Sequence, residues 1–204
     1  MAFHPTGKLA LTTDYLRNSI ISYSINDETG RLTKIKETPI KSGKNPSAIT
    51  IDPTGQFALV SNYDSKNLSI YSINTKKGTL NEIKGSPFNL GRLNDLIFEP
   101  SGNFAYTLWL NIINAYSFDP TTGRLTAIKN GGYGFSDSNW LTSLTIDPSH
   151  KFLYATNSRM DLVPDSLDTI HAFSINPTTG ELTEILESPF DAGDYPGQIV
   201  IVKK

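Results

Sequence analysis

Residues 51–74 read IDPTGQFALVSNYDSKNLSIYSIN. Two apolar runs, FALVSN (57–62) and LSIYSIN (68–74), stand between polar turns, and close copies of this pattern recur along the chain. The first turn returns as His4-Pro5-Thr6-Gly7, Asp52-Pro53-Thr54-Gly55, Glu99-Pro100-Ser101-Gly102 and Asp147-Pro148-Ser149-His150, with prolines 48, 47 and 48 residues apart. A fixed period of this length is the mark of an array of supersecondary units, so it decides the fold before any single residue is weighed.

Each turn leads into a β-type run (LALTTD, FALVSN, FAYTLW or FLYATN) and then a second (ISYSIN, LSIYSIN, INAYSFD or IHAFSIN). A second turn follows, Asn/Asp-x-x-x-Gly, at Asn26 to Gly30, Asn74 to Gly78, Asp119 to Gly123 and Asn176 to Gly180. Pro presets φ and Gly supplies positive φ in such turns, and only His150 departs from the pattern. A short edge run with Leu32 and Ile35 comes next, as do Leu80 and Ile83, Leu125 and Ile128, and Leu182 and Ile185. Ahead of the first turn lies an apolar strand: PSAITI (46–51), LNDLIF (93–98), LTSLTI (141–146) and PGQIVI (196–201).

Four strands per period predict an all-β chain, a β-propeller of four-stranded antiparallel blades with four blades in the chain. The expected repeats are approximately 1–45, 46–92, 93–140 and 141–195 in a single propeller domain, 1–204. No window sustains a 3.6-residue period, and β-branched or aromatic residues fill the runs. The chain opens at the end of an innermost strand, Ala2-Phe3, and the C-terminal strand 196–202 is expected to supply what the first blade lacks and close the ring. Closure within the chain gives a four-bladed monomer, the preferred expectation; closure between two chains gives an eight-bladed homodimer, and a fragment of a longer propeller is the third arrangement.

The 204 residues are 38% hydrophobic, with ten Phe and nine Tyr, enough to fill a sizeable core. A formal net charge of −2 carries no basic footprint, so neither nucleic acid nor a membrane surface is expected as a partner. No apolar run has a spanning length and no signal peptide is visible, so the chain is expected to be soluble and cytoplasmic by default. With no cysteine there is no disulfide and no thiolate chemistry.

The motifs GSPFNLG (85–91), ESPFDAG (187–193), NPSAITIDPTGQFALVSNY and YSINTKKGTL resemble the repeats of the lactonase-like seven-bladed β-propeller family, whose enzymes include propeller-type 6-phosphogluconolactonase and carboxymuconate cyclase. The resemblance covers essentially the whole chain and implies the propeller fold; through those enzymes it implies lactone chemistry. Two departures matter. The family carries seven blades where four repeats are counted here, and its enzymes have a Gly-Pro-Arg-His stretch leading into an inner strand. Lys44-Asn45-Pro46, Leu90-Gly91-Arg92, Ser138-Asn139-Trp140 and Asp194-Tyr195-Pro196 stand there instead, without the histidine, so the family's catalytic residues do not carry over.

The repeated turns fall on one face of a blade, and the links between repeats and the hairpin tips fall on the other. This variable face is the expected binding surface. Arg92, Asn94 and Asp95 put charge where the second repeat has Asn45, Ser47 and Ala48, so they could hold a carboxylate or sugar ligand or pair between loops. Arg92 and Asp95 are also the candidate catalytic groups, as cation and base for lactone hydrolysis. Trp109 and Trp140, the only tryptophans, could stack on a ligand or fill space between blades. Asp14, Asn62 and Asn157 share one position in three repeats and either converge on a ligand or cap their hairpins, and Tyr63 and Asp64 follow Asn62. The long fourth tip adds Arg159, Asp161, Asp165 and Asp168, without the spacing of a calcium loop. The three histidines are dispersed, so neither a metal nor a cofactor is expected. The composite expectation is a binding or interaction scaffold for a small polar ligand or a protein, with a lactonase-type hydrolase and a ligand-free structural repeat protein as alternatives.

Overall fold

The computed structural model describes residues 1–129, 131–135, 140–158, 168–193, 196–197, 199 and 201. Among them there is no helix, and the strands form four sheets. The first sheet contains β1 (Ala2–Phe3), β2 (Leu9–Asp14), β3 (Ser19–Ile25) and β4 (Leu32–Lys34) in sequence order, with β5 (Ile40–Lys41) also pairing β3. The second runs β6 (Pro46–Ile51), β7 (Phe57–Asn62), β8 (Asn67–Asn74) and β9 (Thr79–Glu82). The third runs β10 (Asp95–Phe98), β11 (Phe104–Trp109), β12 (Ile112–Asp119) and β13 (Arg124–Ala127), with β14 (Tyr133–Gly134) on β12. The fourth runs β15 (Trp140–Ile146), β16 (Phe152–Ser158), β17 (Thr169–Ile175) and β18 (Leu182–Glu184), with β19 (Phe190–Asp191) on β17. Each sheet is a blade of the kind the period predicts. Register repeats with it: Ile20 faces Ile40 as Ile113 faces Tyr133 and Ile170 faces Phe190.

The chain gathers into two compact units, Met1–Phe98 with Asp119–Arg124, and Glu99–Phe118 with Leu125–Lys204. In the first, Leu9, Leu11 and Ile20 of the first sheet are buried against Ile49, Ala58, Val60, Tyr71 and Leu80 of the second. Alternation along the strands produces this, because residues two apart share a face and both faces of a middle strand are covered. The turns join in. His4 Nε2 lies 2.9 Å from the Gly55 carbonyl, and Gly78 sits against Ile35 and Leu9. In the second unit Glu99 Oε1 lies 3.0 Å from His150 Nδ1, and Gly180 sits against Phe104 and Ile128. The two turns of a repeat thus serve as contact points for the repeat before it.

Of the closing strand expected at 196–202, residues 198, 200 and 202 lie outside the described set, and so does Arg159. Its first residues are placed as the repeat requires. Thr142 Oγ1 donates to the Pro196 carbonyl at 3.0 Å and Thr156 Oγ1 to that of Gly197 at 3.0 Å, as Ser47 and Ser61 donate to Leu93 at 3.4 Å.

The opening stretch contains a fully buried carboxylate, Asp52. It accepts from Phe57 N at 2.6 Å, from Thr54 N at 3.0 Å and from the Thr54 hydroxyl. Asp52→Ala leaves the buried Phe57 N–H, and the N–H of the exposed Thr54, without their acceptor, and we expect a loss of about 2 kcal/mol, which is roughly 4–8 °C in Tm for a chain of this size. Asp119 caps an outer turn in solvent, its carboxyl held down to about 2 by the hydroxyls of Thr121 and Thr122. Asp119→Ala should lower Tm by less than half as much; equal shifts would show that burial of Asp52 adds nothing.

Candidate functional site

On the variable side of the first unit, the hairpin tips are held by their own side chains. Arg17 donates to Asp14 twice, from its backbone N and from its guanidinium, each at 3.0 Å. The guanidinium bond is the main cause of a lowered Asp14 pKa. Asp14 therefore caps its own turn. Asn62 does the same from deeper in the sheet: it is 1% exposed, and its Nδ2 donates to Asn67 Oδ1 at 2.9 Å and Ser69 Oγ at 3.0 Å. A Cβ on Gly43 would come within 2.5 Å of Asn62 Cγ, so the preceding link lies directly against it.

Tyr63 ties the tip to the start of the inner strand through its N–H, which donates to the Asn45 carbonyl at 3.0 Å. The Asn45 N–H in turn donates to Asn18 Oδ1 at 2.8 Å. The Arg92 guanidinium lies over the Tyr63 ring, 4.9 Å from its centroid. Stacking of this kind fixes the plane of the guanidinium and leaves its edge for in-plane partners. Arg92 and Asp95 are half-buried and Asn94 is exposed, and Asp95 Oδ1 accepts the Leu96 N–H at 2.8 Å. Of the residues singled out from the sequence, the structure thus brings together Arg92 and Tyr63.

Beside the buried Asn62 a cavity of about 400 Å³ opens, lined by Lys41, Ser42, Gly43, Asn67, Ser69 and Glu82 among others. At the matching place in the fourth sheet, side chains of the chain itself fill the space. Phe135 packs edge-on against His171 at 4.4 Å, and Tyr133 against Phe173 at 4.8 Å.

Trp109 and Trp140 belong to the second unit. Trp109, half-buried, ends β11 opposite Ile112, and Trp140, 45% exposed, begins β15 opposite Ser158. Asn157 is 1% exposed and its Nδ2 lies 3.5 Å from His171 Nε2. His171 Nδ1 lies 2.8 Å from Glu184 Oε1, which also accepts from Ser188 Oγ at 2.7 Å, while Glu184 Oε2 accepts the Tyr133 hydroxyl. Burial pushes the Glu184 pKa up, but the bonds from Tyr133, His171 and Ser188 outweigh it and hold the carboxyl below its ordinary value. The same bond pushes the Tyr133 hydroxyl up to about 12.

From the sequence, His171 reads as an isolated strand residue. Its signal was the register: His171 stands where the second repeat has Ser69, and Glu184 where it has Glu82. Chemically this is an oriented imidazole–carboxylate pair, but it is covered by Phe135 and works as a clamp between link and sheet. Among the described residues no group of three or more His, Cys, Asp or Glu is placed to hold a metal ion.

The sequence profile of the family described as "Lactonase, 7-bladed beta-propeller" matches residues 1–91 and 95–204. Among solved structures, a candidate 6-phosphogluconolactonase from Bacteroides fragilis superposes with a TM-score of 0.74 at 21% identity, over 96% of this chain and 58% of its own. A candidate 6-phosphogluconolactonase from Bacteroides uniformis does so with a TM-score of 0.70 at 22% identity, over 93% and 54%. Hydrazine synthase from Kuenenia stuttgartiensis follows with a TM-score of 0.62 at 17% identity, over 94% and 48%. The chain spans a little over half the length of the two Bacteroides proteins, and at these identities the likeness establishes fold. No curated protein sequence matches the chain.

Proposed function

The chain belongs to the family of lactonase-type seven-bladed β-propellers, and from that premise we propose that it contributes to hydrolysis of a small polar lactone, with Arg92 and Asp95 on its variable face as the acting groups. The observation that carries the proposal is the Arg92 guanidinium stacked on Tyr63, three residues ahead of the Asp95 carboxylate where the other inner strands begin without such a pair. Asp95 takes a proton from water as the oxygen attacks the lactone carbonyl. Arg92 donates to the oxyanion that develops. The ring C–O bond then breaks, and the proton passes to the departing alkoxide to give the hydroxy acid. Such a base contributes about 10²–10⁴-fold and one oxyanion donor about 10²–10³-fold. Asn94, exposed beside Asp95 on the same unit, is the candidate for holding the sugar-like body of the substrate.

Arg92→Ala is expected to lower kcat/KM for an aldonolactone by about 10²-fold or more, and Asp95→Asn by at least as much, with an unchanged melting curve. A pH-stat assay on gluconolactone and its 6-phosphate, with the full chain, reads this directly. Turnover unaffected by both substitutions in folded protein would sink the assignment. Lactone binding without turnover would replace hydrolysis by the binding-scaffold function.

A further inference from the structure

The second sheet and the fourth carry the same carboxylate in different company. Glu82 stands opposite Tyr71 as Glu184 stands opposite Phe173, and each accepts a bond from the serine four residues on, Ser86 or Ser188, at 2.7 Å. At Glu184 two further groups converge, His171 Nδ1 at 2.8 Å and the Tyr133 hydroxyl, and Phe135 closes the space against the imidazole. The second sheet has none of these three. Register puts Ser69 in place of His171 and Ile40 in place of Tyr133. Ser42 takes the place of Phe135: its N–H donates to the Asn18 carbonyl at 3.0 Å as that of Phe135 donates to Asn111 at 3.0 Å. Among the described residues the Glu82 carboxylate accepts from Ser86 alone.

Two rings exchanged for two short hydroxyl side chains account for the cavity of about 400 Å³, whose walls include Lys41, Ser42, Asn67, Ser69 and Glu82. These walls are fixed by bonds of their own. The Tyr71 hydroxyl donates to the Lys41 carbonyl at 3.4 Å, Lys44 N donates to Ser65 Oγ at 2.8 Å, and Gly43 lies against Asn62, so the link is tied to the sheet at several points. Asn62 Nδ2 donates to Asn67 Oδ1 and Ser69 Oγ. That bond orients the Asn67 amide and leaves its own Nδ2 as a donor. Small-ligand pockets have this size and are largely formed before the ligand arrives.

We propose that this cavity binds a small polyol, a molecule of monosaccharide size whose adjacent hydroxyls donate to Glu82 and accept from Asn67 and Lys41. The chemistry follows from the walls. Glu82 keeps the acceptor capacity that His171 and Tyr133 take up at Glu184, and the two oxygens of a carboxylate suit two neighbouring hydroxyls. The Lys41 ammonium disfavours a cation, and the hydroxyl and amide lining disfavours a purely apolar ring. A hydroxylated carbon chain both donates and accepts, which is what a wall of one carboxylate, one ammonium and one amide requires. No residue of this cavity takes part in the catalytic assignment, so the two can fail separately.

Titration of the full chain with sorbitol, followed by NMR through the side-chain amide signals of Asn62 and Asn67, tests the proposal. Saturation with a Kd of about a millimolar is expected, the strength that about a dozen atoms supply in a small polar site. Ser42→Phe writes the filling of the fourth sheet into the second, and Glu82→Ala removes the acceptor from an exposed position. Each should weaken binding about tenfold or more with an unchanged melting curve. Arg92→Ala should leave binding as it is, and propanol, with a single hydroxyl, should not saturate the site. Gluconate separates two kinds of polyol. Tighter binding than sorbitol, with the advantage lost in Lys41→Gln, identifies a sugar acid; equal or weaker binding identifies a neutral sugar or sugar alcohol. No saturation by either compound up to about 50 mM, saturation by propanol, or binding unchanged in either folded variant overturns the proposal.

Discussion

Replacing Glu184 by alanine is expected to cost about 3 kcal/mol of stability, because three donors lose one acceptor at once. His171 Nδ1, Ser188 Oγ and the Tyr133 hydroxyl all converge on this carboxylate, whose side chain is 22% exposed. His171 is more buried still, so an imidazole left without its partner cannot simply turn to water. Glu184→Gln keeps the shape and should cost about half as much. The pH dependence has a definite sign. The folded-state pKa of Glu184 is lowered, so its stabilisation is fully present above the unfolded value of about 4.3 and fades as pH falls through the folded value. The gap between wild type and Glu184→Gln in urea unfolding should accordingly be widest near neutrality and narrow toward pH 3. Tyr133 works at the other end: its raised pKa means its share is intact below the unfolded value of about 10 and lost as pH rises through about 12. A Glu184→Ala variant within about 0.5 kcal/mol of wild type would show that the clamp does not hold the unit together.

Gly180→Val should be worse, at about 4 kcal/mol, and it divides into two physical causes. The backbone sits at φ +72, where a β-branched residue is strained. A Cβ there would also come within 2.7 Å of Phe104 Cε1 and 2.8 Å of Ile128 Cδ1, and the Gly180 carbonyl accepts the buried Tyr106 hydroxyl at 2.9 Å. Gly30 provides the control. It has φ +69 and open space around it, so Gly30→Val suffers strain alone and should cost about 1–2 kcal/mol. Thermal unfolding of the two variants in dilute protein separates contact from strain. Equal losses would mean that Gly180 is required only for its backbone angle.

The pair of glycines also illustrates what can be read from a sequence. Gly30 and Gly180 occupy the same place in the same motif, Asn-x-x-x-Gly, and the motif requires positive φ at both. That one touches a neighbouring sheet and the other does not is a property of position in the array. The same holds for the tips. Asp14 and Asn62 are equivalent polar residues, legible either as ligand groups or as caps. In the structure Asp14 accepts from Arg17, and Asn62 donates through its Nδ2 to Asn67 and Ser69, so each is engaged within its own hairpin. His171 was illegible in another way. Its partner Glu184 lies 13 residues away, and Tyr133, which bonds the same carboxylate, lies 51 residues from Glu184; only pairing of β17 with β18, together with the return of the link through β14, brings them together.

The sequence by itself determined the blade: the period, the four strands, the two turns, the side of each sheet that carries variable loops, and the family. Those follow from local rules, since turn chemistry and strand alternation act over a few residues and were repeated often enough to be unmistakable. Only the tertiary structure decided which copies differ in surroundings. It set Arg92 over Tyr63, built a clamp on Glu184, and left a cavity at the matching place beside Glu82. The physical reason is that burial and partnership are relations between residues distant in the chain, which no local pattern of turns and strands records.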